Sequence, residues 1–308
     1  MQPARATASL ARPSGTDLAL LALAVAAVST SAPLVREAAA PTLAVAFWRN
    51  TFAIGVLVPW TASRHSAEFH RLTGRERRLA VTAGLLLAAH FATWVPSLSF
   101  TSVASSVALV ATQPVWAALI ARGRGEHVPA QAWTGIGVAV AGAVLLSGVD
   151  LTISARALFG DMLAVAGGLL AAAYVTVGAD VRRTVSTSVY TSICYLTAAV
   201  LLFVVCLSGR QPLLGYSGRT WLCLLALAAG PQLLGHSVVN RVLRTTSPTV
   251  VSVAILFEIV GATALAWIFF DETPAAGAYP AAALIGVGVV LVVRAGRQPS
   301  VSGVPVVE

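Results

Sequence analysis

Apolar runs of about 20 residues recur along this chain from Leu18 to Val293, separated by short polar turns that carry most of its arginines. A run of that length matches the hydrocarbon core of a bilayer when wound as an α-helix. In lipid each backbone N–H and C=O must find a partner within the protein, which leaves helices and closed barrels as the spanning structures. The strand-length alternation of a barrel is absent, so the fold class is an all-α polytopic membrane protein. Charged residues make up only 10% of the sequence, against about 25% in soluble domains.

Ten helices are expected: Leu18–Leu34, Thr42–Thr61, Leu79–Leu98, Val103–Ala121, Ala132–Val149, Met162–Ala179, Val189–Leu207, Trp221–Val239, Val250–Phe270 and Ala275–Val293. Residues 1–16 read as a disordered cytosolic lead and 298–308 as a disordered tail. Asp17 and Asp161 fall at the starts of the first and sixth helices, where capping and the helix dipole favour a carboxylate. The three cysteines all lie within apolar runs, in no disulfide or metal spacing.

The net charge of +8 is a topology signal rather than a nucleic-acid one. With the N-terminus in the cytosol, fifteen arginines fall on the cytosolic side and four outside, with Arg49 inside the second helix. The positive-inside rule therefore sets both termini in the cytosol of a plasma, or inner, membrane.

The chain also repeats. Shifted by 146 residues, Leu79–Leu145 lies over Leu225–Leu291 without a gap. Gly84 then meets Gly230, His90 meets His236, the Ser106–Ala108 triplet meets Ser252–Ala254, Glu126 meets Glu272, and Gly142 meets Gly288. Five helices per half force the second half, 160–294, to insert upside down relative to the first, 17–149. Inverted repeats are the architecture of many secondary transporters, with the substrate site where the halves meet near the midplane.

The stretches HFATWVPSLSFTSVASSVALVATQPVW (90–116), GDMLAVAGGLLAAAY (160–174) and PQLLGHSVVNRVLR (231–244) resemble the drug/metabolite transporter superfamily, in its EamA-domain branch. The resemblance covers Leu18 to Val293. It implies ten helices in two inverted EamA repeats, alternating access, and export of small metabolites or amino acids. The family often has Glu-Pro in the ninth helix. Here Glu258 is followed by Ile259, while the fourth helix keeps Pro114, so a kink is expected in the fourth helix and unequal flexing of the halves.

Candidate site residues are the polar ones that apolar helices have no packing reason to hold. Glu258 sits near the middle of its run, where a charge is expensive and therefore a functional candidate, as a proton carrier or a counter-charge. The alternative is a protonated carboxyl bonded between helices. His90 and His236 occupy matching places and read as a proton relay, or else as neutral rings bonded across helices. They carry no metal-site spacing, and no cofactor is expected. Arg49, in FWRN, can hold a substrate carboxylate, pair internally, or snorkel to the interface. Gln113, Trp94, Asn240 and Tyr174 are candidates to line the same cavity. The small residues Gly135, Gly137, Gly142, Gly286 and Gly288 read as close packing, between halves or between protomers of a homodimer.

The sequence thus reads as a secondary transporter of small molecules, with the bilayer as its surroundings, no nucleic-acid partner and no P-loop for nucleotide. The rival reading is an intramembrane enzyme using His90, His236 and Glu258 on a lipid-linked substrate. A transporter needs two pseudo-symmetric halves, whereas such an enzyme needs a one-sided cleft.

Overall fold

The computed structural model describes residues 13–101, 103–147, 154–270 and 277–295. Most of the expected lead and all of the tail lie outside them, as do Arg5, Arg12, Asp271, Glu272 and Arg297. The first half runs α1 (Gly15–Ser29), α2 (Ser31–Glu37), α3 (Thr42–Arg64), α4 (Ser66–Arg71), α5 (Gly74–Ser97), α6 (Val103–Val110), α7 (Gln113–Gly123) and α8 (Ala130–Ser147). The second runs α9 (Ala155–Arg182), α10 (Thr187–Ser208), α11 (Gly218–Leu227), a π-helical stretch (Ala228–His236), α12 (Ser237–Val242), α13 (Pro248–Ile255), α14 (Phe257–Phe270) and α15 (Ala278–Ala295).

Among the described residues, seven segments are long and apolar enough to cross a membrane: Gly15–Val35, Thr42–Arg64, Gly74–Ser97, Ala155–Arg182, Thr187–Ser208, Gly218–Val242 and Pro248–Leu265. Two further apolar helices, Ala130–Leu145 and Tyr279–Ala295, are shorter. Large apolar side chains such as Leu145, Leu207, Leu222 and Ile268 stand exposed on the outer surface. Water would penalise such a surface, and lipid tails match it.

Local chemistry sets where the helices begin and break. Ser14, Thr73, Ser154, Ser186, Ser217 and Ser247 each cap a helix by accepting from the backbone N–H three residues on. Asp17 completes a capping box with Ser14, as its position suggests. Asp161 does not cap: its helix starts earlier, at Ala155, and its Oδ1 is buried without a partner. The sequence boundary missed this because Ser154 is a better cap placed ahead of a mixed polar and apolar turn.

Three kinds of break follow. Pro33 cannot donate to the Ser29 carbonyl, and the first rod breaks at Thr30. Pro114 likewise frees the Val110 carbonyl, and α6 parts from α7 at Ala111–Thr112. The matching rod in the second half breaks too, at Leu256, with no proline near. There Leu256 N–H donates to Val253 O and Ile259 N–H to Leu256 O, tight three-residue bonds at 3.2 Å each. A break was expected only beside the proline; the structure has one in each half at the same register. Pro231 lies inside the π-helical stretch, where the wider bonding pattern absorbs its missing donor.

Helix pairing reflects the repeat. The 146-residue shift carries α3 to α10, α7 to the α13–α14 rod, and α8 to α15. Two of these pack against their own counterparts, α3 on α10 and α8 on α15, and α7 packs on α13, the counterpart of α6. The packing of α5 on α9 is mirrored by the π-helical stretch on α1. At the α8–α15 crossing a Cβ on Gly288 would sit 2.5 Å from the Ala139 backbone, and one on Gly142 would sit 2.8 Å from the Ala281 carbonyl. These glycines, with Gly135, thus serve the contact between halves. Gly137 touches nothing within 4 Å.

The turns meet at two ends. At the arginine-rich end Arg124 bonds Asp180 (2.6 Å), Thr184 donates to Glu76 (2.6 Å), and Thr245 donates to Asp17 (3.0 Å). At the other end Arg219 bonds Glu37 (2.5 Å) and the Trp48 indole donates to the Leu213 carbonyl (2.8 Å). Successive helices therefore run in alternate directions.

Candidate functional site

Between the halves lies a cavity of about 110 Å³. Its lining includes Arg49, His90, Trp94, Gln113, Tyr174, His236 and Glu258, drawn from α3, α5, α7, α9, the π-helical stretch and α14. Asn240, the remaining sequence candidate, stands behind this wall. Its Nδ2 donates to the Tyr174 hydroxyl at 2.7 Å, so it positions a lining residue. Most of the wall is apolar, with Val28, Val110, Val175 and Ile255 among the lining residues.

Arg49 enters the protein rather than snorkelling. It is 2% exposed; its Nε donates to Gln232 Oε1 at 2.9 Å and its Nη1 to Ser31 Oγ at 3.4 Å. Its guanidinium lies 4.5 Å from the centre of the Phe91 ring, a cation–π contact. Among the described residues no salt bridge joins Arg49 to Glu258, and its Nη2 has no partner.

Glu258 occupies the first turn of α14, which starts only because the rod breaks at Leu256. A helix N-terminus carries partial positive charge, which favours a carboxylate there. The break thus makes a tolerable place for an acid deep in the protein. Gln113 opens α7 in the same way, and its Nε2 donates to Ser252 Oγ across the halves at 3.0 Å.

The two histidines share the cavity and the Phe91 ring but differ in their other partners. His90 Nδ1 donates to the Gly167 carbonyl at 2.9 Å, leaving Nε2 as its second site, and the ring stacks on Trp94 at 5.7 Å and 6°. His236 presents its ring to Phe91 (5.8 Å) and Tyr174 (6.4 Å), both edge-on. Phe91 is therefore the hub between Arg49, His90 and His236.

Several participants carried no sequence signal strong enough to single them out. Gln232 donates through Nε2 to Asn50 Oδ1 at 3.1 Å, while Tyr195 pairs with Ser237 at 3.1 Å. The one signal each carried was its place, Asn50 next to Arg49 and Gln232 after Pro231. Neutral amides in apolar runs look like ordinary helix contacts, so neither stood out.

A second pocket of about 170 Å³ lies toward the arginine-rich end, lined by the continuations of α7, α9 and α13. Ala117, Thr176 and Thr249 border it, and the Arg124–Asp180 ion pair spans it from one half to the other. The two cavities thus lie in series along the same three helices.

The EamA-like transporter family model matches residues 16–148 and again 158–294. The chain belongs to the EamA-like transporter family. Each match covers one half of the fold, α1–α8 and α9–α15. This EamA-like protein is similar in fold to a solved structure titled "Crystal structure of protein", with a TM-score of 0.76 over 90% of this chain and 96% of that one. Identity between them is 20%, so the likeness speaks for the fold alone. No curated protein matches this chain. As a member of a transporter family with helices suited to the bilayer, it is an integral membrane protein.

Proposed function

We propose that this chain is a secondary transporter that exports a small metabolite by alternating access, with the cavity between its halves as the substrate site. One observation carries the reading: the two EamA-like halves enclose a cavity that holds Arg49, His90, His236 and Glu258 in otherwise apolar walls. Charges inside a membrane protein are expensive and mark substrate or ion pathways. Glu258 serves as the proton carrier, with His90 and His236 beside it. The ten helical rods all span the plasma membrane, and the arginine-rich end faces the cytosol. The pocket under the Arg124–Asp180 pair is the inner vestibule, and that pair is the bar across it.

The test is flux in proteoliposomes loaded with a panel of labelled small metabolites. Ala262 lines the cavity, so Ala262→Trp fills it with an indole. Any substrate that the wild-type protein carries should be lost in this variant while insertion and folding persist. Wild-type flux through Ala262→Trp would show that substrates pass elsewhere.

A further inference from the structure

We propose that Arg49 and Trp94 form a carboxylate-binding subsite, so that the transported molecule is a small carboxylate with a compact apolar body. This rests on the transport reading above and names the substrate class of the same cavity.

Among the described residues, two cavity-lining side chains hold buried polar atoms without a partner, Arg49 Nη2 and Trp94 Nε1. Both atoms can only donate. Arg49 is 2% and Trp94 8% exposed, so bulk water does not supply the missing acceptor freely. Both are also held in place. Nε and Nη1 of Arg49 are committed to Gln232 and Ser31, which leaves Nη2 as the free arm of a fixed fork. Trp94 is stacked on His90, which is itself anchored to the Gly167 carbonyl. Gly167 permits this: a Cβ there would come within 2.9 Å of the Trp94 Cβ.

Two fixed donors, one cationic and one neutral, fit a group with two acceptor oxygens and one negative charge. Charge-assisted bonds to such an oxyanion are short and strong. A buried guanidinium that lacks an ion pair stays costly until an anion arrives. Glu258 in the same cavity disfavours a doubly charged phosphate by repulsion. The apolar walls, Val110, Val175 and Ile255 among them, and the volume of about 110 Å³ suit a short branched or ring-bearing body.

The test compares 3-methylbutanoate with its neutral isostere 3-methylbutanamide, both added to the full-length protein in detergent. The readout is the ligand-dependent rise in thermal unfolding midpoint, fitted to an apparent Kd. The carboxylate should bind at least about tenfold more tightly than the amide, as expected when a buried charge keeps or loses its partner. Trp94→Phe removes one donor and little shape. It should weaken carboxylate binding by about three- to tenfold and leave the amide unchanged. Arg49→Lys should weaken the carboxylate by about tenfold or more, because an ammonium lacks the fork. Should Arg49→Lys fail to fold, Trp94→Phe still decides. Equal affinity for the two compounds, no response to either, or an unchanged carboxylate affinity in Trp94→Phe would overturn the subsite. Those outcomes differ from failure of the transport reading, which shows as flux surviving Ala262→Trp whatever the head group.

Discussion

The Arg49 guanidinium donates through Nε to Gln232 Oε1 at 2.9 Å, tying α3 of the first half to the π-helical stretch of the second. Gln232 is fully buried and passes the connection on to Asn50. The bond explains how an apolar helix keeps an arginine: one acceptor offsets part of the cost of burying the charge.

Removing that acceptor should therefore destabilise the fold. Gln232→Leu leaves a buried donor unsatisfied, a loss of about 2 kcal/mol. Thermal unfolding in detergent should show a midpoint several degrees lower, and Gln232→Glu should restore part of it, since the carboxylate accepts from Arg49 but gives up the bond to Asn50 Oδ1. A Leu variant as stable as the wild type would mean that Arg49 finds another partner.

The α8–α15 crossing makes a paired prediction. Gly288→Ala places a methyl against the Ala139 backbone and should cost about 1–3 kcal/mol, as overpacking does. Gly137→Ala meets nothing within 4 Å and should be neutral, or stabilising by about 0.5 kcal/mol through helix propensity. Equal effects in the two variants would mean that this crossing does not hold the halves together.

Topology is a separate matter, set by the distribution of arginines. A reporter fused after Arg297 should read as cytosolic, and one inserted near Thr273 as external. If both report the same side, α15 does not cross the membrane and the inverted five-plus-five arrangement is wrong.

Charge was the legible part of the site. Arg49, His90, His236 and Glu258 stood out because apolar runs have no packing use for them, and the structure sets all four around one cavity. The 146-residue echo was likewise visible, and it surfaces as α3 and α8 packing on their counterparts, α10 and α15. Other features left no trace. The break at Leu256 has no proline beside it to announce it, yet it is what gives Glu258 a helix N-terminus. The π-helical stretch depends on one widened turn around Pro231, which apolar periodicity does not register. Gln232 and Tyr195 were hidden because a lone amide or phenol in an apolar run has many ordinary uses.

The proposed function gives Glu258 the coupling role, and Glu258→Gln isolates it. The variant keeps size and shape while fixing the side chain as neutral. Flux driven by a pH gradient should fall to background in proteoliposomes. Exchange of labelled substrate at equal pH should persist, since that half-cycle moves no net proton. Full gradient-driven flux in the variant would leave Glu258 with a structural role at the start of α14.

The central claim is that one cavity is reached in turn from both sides of the membrane. Ser252 lines it and sits where α13 meets α7, so a cysteine there reports access directly. The measurement is labelling of Ser252→Cys by a membrane-impermeant maleimide, with Cys194, Cys206 and Cys223 replaced by Ala, in oriented proteoliposomes treated from one side and then the other. The account predicts reaction from both sides, slowed by any transported substrate. Reaction from one side alone, under every gradient and substrate tried, would contradict it.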